Sequence, residues 1–104
     1  QAVDTDLRFD DFDAAATTCQ GMINDPDVRV GQDFAFRAAT YARKAGQRDR
    51  AIALAQQGIS RSSANTAFLS ALHHLLGQLQ ESQGLYDDAQ RSYKAAIALN
   101  TARQ

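Results

Sequence analysis

The stretch LLGQLQESQGLYDDAQRSYKAAI, residues 75–97, decides the fold. Up to Gln83 its apolar residues keep the three- and four-residue rhythm of a helix. Gly84 breaks that rhythm, and the spacing resumes through Tyr86, Ala89, Tyr93, Ala96 and Ile97. Two helices joined by so short a connection must lie antiparallel. The second half of the stretch recurs twice upstream. Arg48, Ala51, Ala55, Gly58 and Ile59 precede it by 38 residues, and Phe12, Ala15, Cys19, Met22 and Ile23 precede those by 36. A recurrence of about 30 to 40 residues marks an array of stacked helices, in which each unit buries its apolar face against the next. Such arrays usually hold another chain rather than carry out chemistry.

Working outward, the first predicted helix begins at Phe9 or Asp10 and runs through Met22 and Ile23, with Asn24, Asp25 and Pro26 to stop it. Asp10, Asp11 and Asp13 fall in its opening turn, where carboxylates complement the helix dipole. Pro26–Val30 is expected to be a loop punctuated by Gly31. The second helix follows from Gln32 to Ala45, presents Phe34, Ala35, Ala38, Ala39, Tyr41 and Ala42, and closes at Gly46. The third, Arg48 to Ser60, turns Ala51, Ile52, Ala55 and Ile59 inward. A loop ending in an Asn or Thr cap is expected over Ser62 to Thr66. The fourth helix, Thr66 to Gln83, carries Phe68, Leu69, Leu72, Leu75, Leu76 and Leu79. The fifth, Tyr86 to Ala102, is expected to bury Ala89, Tyr93, Ala96, Ile97 and Leu99. Residues 1–8 read as a flexible lead-in.

Within 70–101, Leu76-Gly77, Gly84-x-Tyr86, Ala89, Tyr93 and Ala96-Ile97 resemble the tetratricopeptide repeat, a helix–turn–helix unit of about 34 residues. Gln32 to Ile59 is a weaker copy, and Phe12 to Pro26 is similar to the second helix of a further unit. The resemblance covers about 90 of the 104 residues. It implies an all-α fold, with antiparallel hairpins stacked as a short right-handed α-solenoid. That single domain, 1–104, would hold a half repeat at 9–25 and repeats at 32–61 and 66–102. His73, Gln80 and Thr101 depart from the family pattern, as do the spacings of 36 and 38.

The resemblance also implies a concave surface lined by the first helix of each hairpin. Helical geometry places Asp33, Phe36, Thr40, Arg43 and Lys44 there from one helix, and Ala67, Ala71, His74, Gln78 and Glu81 from the other. Asp33, Phe36, Thr40, Arg43, Lys44, His74, Gln78 and Glu81 are therefore the candidate peptide-binding residues. Phe36 is either an anchor for a partner or a residue packed on the first helix or the lead-in. Some family members clamp a peptide carboxylate with Lys and Asn. Here those places hold Phe36, Thr40, Ala71 and Leu75, so that clamp is not implied.

Charge adds a bias. The net charge is −1, which gives no overall attraction to nucleic acid or anionic lipid. Residues 1–30 carry −5 and residues 31–66 carry +4. Solvated helix faces account for this, and so does a basic groove that attracts acidic residues of a peptide. No apolar run reaches the length of a membrane span. Cys19 stands alone and is expected to be a buried small side chain. The chain starts at Gln1 rather than Met, which fits removal of an export signal or excision from a longer protein.

Enzymatic signals are weak. Adjacent His73 and His74 point about 100° apart on a helix and cannot share one ion. No serine has a nucleophile setting, the glycines stand singly, and the Asp cluster lacks the spacing of a calcium loop. No catalytic residue, metal or cofactor is expected. The expected function is a non-catalytic scaffold that binds a protein or peptide. Self-association through an uncapped last helix, where Tyr93, Ile97 and Leu99 lack a covering helix, is one alternative. A docking or regulatory portion of a larger enzyme is the other.

Overall fold

The computed structural model describes residues 9–61 and 66–102. The predicted lead-in at 1–8, and the loop and cap expected from Ser62 up to the fourth helix, lie outside the described residues. Five helices are present, with no strand among the described residues. They are α1 (Phe9–Gln20), α2 (Val28–Lys44), α3 (Arg48–Ile59), α4 (Thr66–Ser82) and α5 (Tyr86–Ala102). Each helix packs on its sequence neighbours, and α4 also packs on α2.

The turns at Gly46 and Gly84 are copies of one another. Both glycines have φ of +80°, a left-handed conformation that a Cβ would strain. Around the first, Gly46 N donates to Arg43 O and Gln47 N to Ala42 O. Around the second, Gly84 N donates to Glu81 O and Leu85 N to Gln80 O. These bonds satisfy carbonyls that a helix end otherwise leaves bare, and they reverse the chain within a few residues.

Two boundaries differ from expectation. Helix α1 ends at Gln20 rather than Ile23, and the chain continues in tighter turns, Met22 N to Cys19 O and Ile23 N to Gln20 O. Helix α2 begins at Val28, not Gln32, because a cap outcompetes the glycine as a boundary. The extended Asp27 accepts Arg29 N at 3.0 Å, and Asp25 accepts Asp27 N at 2.9 Å. Gly31 lies inside α2. A Cβ there would collide with the Ile23 carbonyl and the Arg61 guanidinium, which bond to each other across it.

The core is made of small residues from α2 and α3 and large ones from α4. Ala35, Ala38, Ala39, Ala42, Ala51 and Ala55 are buried, as are Ile23, Leu54, Leu72 and Leu79. Cys19 is buried with them, as expected, and burial pushes its thiol pKa up. One expectation about α5 is corrected. Ala89 and Ala96 are buried, but Ile97 is 63% exposed, because no helix among the described residues lies over it.

Candidate functional site

A trough of about 570 Å³ runs along α4. Its floor is one helical face, Ala67, Ser70, Ala71, His74, Leu75 and Gln78, at steps of three and one. Phe36 of α2 forms one wall, and Tyr93, Ala96 and Ile97 of α5 form the other. At about 1.5 Å per residue, the floor is roughly 16 Å long, about three helical turns.

Helix packing positions these walls. Gly77 is small because the Tyr93 ring lies against it; a Cβ there would sit 2.8 Å from that ring. The ring is held from two further sides. Its centroid is 5.6 Å from that of His74, and its hydroxyl donates to Glu81 Oε1 at 2.8 Å. Burial, and then the bond to Glu81, raise the phenol pKa, so it serves as a neutral donor. Ser92 Oγ donates to Gln80 Oε1 at 2.7 Å, a buried polar pair between α5 and α4.

The eight candidate residues divide. Phe36, His74 and Gln78 line the trough together. Arg43 joins them at one end, where it donates to Gln78 Oε1 at 3.3 Å, and Glu81 joins through Tyr93. Thr40 spends its hydroxyl on the Phe36 carbonyl, at 2.9 Å. Asp33 and Lys44 point elsewhere, and the sequence placement of both is corrected. Asp33 pairs with Arg37 at 3.1 Å and borders a hollow with Asp27, Val30 and Phe68. Lys44 Nζ lies 5.6 Å from the Phe12 ring centre, beside the Phe12–Tyr41 stack. Phe36 is half-buried against the core and lines the trough beside α4.

Sequence reasoning left Tyr93 and Ile97 uncovered at the end of the stack but did not place α5 in the same trough as Phe36 and His74. Tyr93 and Ile97 were expected to fill space between helices, yet both border the trough. The basic middle of the chain is partly neutralised internally: Arg50 Nη1 meets Asp13 Oδ1 at 2.7 Å. His73 and His74 serve different surfaces, His73 a hollow with Ile59 and Leu69, His74 the trough. Among the described residues, no three His, Cys, Asp or Glu side chains could hold one metal ion, and no helix is long and apolar enough to cross a membrane. No protein-family model matches the chain, and neither the curated proteins nor the solved structures hold a match to it.

Proposed function

We propose that this chain is a non-catalytic scaffold that binds a protein or peptide in the trough along α4. The observation that carries the reading is the lining itself: apolar side chains from three helices converge on an open channel with polar groups at its margin. Reading the helices as tetratricopeptide-like repeats, two and a half units in a right-handed α-solenoid, is supported by the matching turns and by the packing of α4 on both α2 and α3. Arg43 biases the occupant toward acidic residues at its end of the channel.

The test is to isolate a partner by cross-linking and titrate it against variants. Phe36→Ala should cost about 1–2 kcal/mol of binding, with little salt dependence. Arg43→Glu should weaken binding more at low salt than at high salt. Ala71→Trp should plug the channel. Retention of the partner by all three would move binding to the outer surface. Self-association through α5 is the second reading, favoured by exposed Ile97. Concentration-dependent sedimentation that Ile97→Asp abolishes would support it, and a monomer at high concentration would end it.

A further inference from the structure

The two helix hairpins agree in their tertiary hydrogen bonds as well as their turns. Gln32 Nε2 of α2 donates to Gly58 O of α3 at 3.3 Å. At positions 38 residues further on, Ser70 Oγ of α4 donates to Ala96 O of α5 at 3.2 Å. A residue of the first hairpin therefore has its structural counterpart 38 positions later. That correspondence identifies a face by what covers its twin. On the α2/α3 hairpin, Gln32, Ala55 and Gly58 are buried, and Leu72 of α4 stands against Gly58. Their counterparts Ser70, Tyr93 and Ala96 all line the trough. Ile59 is partly buried against the core, whereas its counterpart Ile97 is 63% exposed.

We infer that the trough along α4 and α5 docks an amphipathic helix from another polypeptide, patterned like α4 and seated on α4/α5 as α4 is seated on α2/α3. The inference rests on the trough being a binding site and specifies its occupant. The docked helix would continue the interface already formed inside the chain. It would carry leucine-like residues at the spacing of Leu72, Leu75, Leu76 and Leu79.

Two observations favour a helix from another polypeptide over other occupants. An extended peptide brings bare backbone N–H and C=O groups that need partners. The channel offers few, since Ser70 is committed to Ala96, Gln78 to Arg43 and Tyr93 to Glu81. A helix satisfies its own backbone. Among the described residues a folded second copy offers no such leucine row: that of α4 is buried, α1 exposes Ala14, Thr17 and Thr18, and the exposed large apolar side chains of α5 are Tyr86 and Ile97.

The experiment uses a labelled peptide of residues 66–82, the α4 sequence, titrated into the whole chain by fluorescence anisotropy and circular dichroism. Saturable binding with a gain of helix is expected. Ile97→Asp in the chain should weaken it about tenfold or more, with an unchanged melting curve, whereas Met22→Asp, at an exposed site outside the trough, should not. A peptide carrying His74→Pro keeps the leucines but breaks the helix, and should lose binding. If the proline peptide binds equally well and still depends on Ile97, the trough is a binding site but its occupant is not a helix. Binding that ignores Ile97, as displacement of the native α4 would, overturns the inference. So does no binding, and the Ala71→Trp partner titration then decides separately whether the trough binds at all.

Discussion

In the α2/α3 hairpin the buried apolar side chains are alanines at 35, 38, 39, 42, 51 and 55, joined by Leu54. In the α4/α5 hairpin Leu72, Leu75, Leu76 and Leu79 are buried opposite Ala89 and Ala96, and Tyr93 lies on Gly77. The backbone plan is shared, down to the turn hydrogen bonds, yet the volumes are not. Alanines let α1, α3 and α4 approach α2 closely, and the leucines of α4 supply the bulk that those alanines lack. What repeats is the path of the chain; side-chain size is complementary between units rather than copied.

The sharpest contrast lies between the covered and uncovered faces. Leu72→Ala should cost about 2–5 kcal/mol in urea unfolding, because it empties a fully buried site. Ile97→Ala should change stability by about 0.5 kcal/mol or less. Equal losses at the two sites would mean that α5 has a cover. Next in size is the helix crossing. Gly77→Ala should cost about 1–3 kcal/mol by overpacking, and Tyr93→Leu in the same chain should recover part of it. The counterpart Ala39→Gly should cost about 1 kcal/mol and find no such rescue. If Tyr93→Leu adds to the Gly77→Ala loss, the two residues do not share that space.

The buried polar anchors give a smaller difference. Gln32 Nε2 bonds both Gly58 O and Arg61 O, whereas Ser70 bonds Ala96 O alone. Gln32→Ala should therefore cost about 1–3 kcal/mol and Ser70→Ala about 1 kcal/mol, a ranking that thermal melts can check. The smallest effect is a pH slope. His73 stands at the counterpart of fully buried Ala35, and burial lowers its pKa below 6.5. The unfolded chain thus binds the proton more readily. His73 contributes its full stability above about pH 6.5 and loses it as pH falls from there through the lower folded value. His73→Gln should flatten that part of the stability profile, and an unchanged slope would assign it to other groups.

Much of this was legible from apolar spacing. Helices α3 and α5 fall within a residue of expectation, since glycine turns and the 38-residue recurrence fix them from both sides. The start of α2 was not legible, because Gly31 looks like a break until the packing of Ile23 and Arg61 against it is known. For the trough, Phe36, His74 and Gln78 followed from helical phase. Asp33 and Lys44 did not, because they lie about 60° and 80° around the helix from Phe36 at 100° per residue. Local partners, Arg37 and the Phe12 ring, take them up. The bare face of α5 was legible from the same spacing, but its meeting with Phe36 and His74 in one trough depends on how α5 packs against α4.

Arg50 ties together elements that are not adjacent in the chain. From α3 it reaches α1, where its guanidinium meets Asp13, Thr17 and Gln20, while Gln47 beside it also donates to Asp13. Helices coupled only to their sequence neighbours fray one element at a time from the ends; here α4 already packs on α2 as well. The Arg50 clasp adds a coupling that skips one helix, so α1 and α3 should open as one cooperative unit. Amide exchange would show this as a shared opening rate for α1 and α3 in the wild-type chain, separating into two in Arg50→Leu, with α1 the faster.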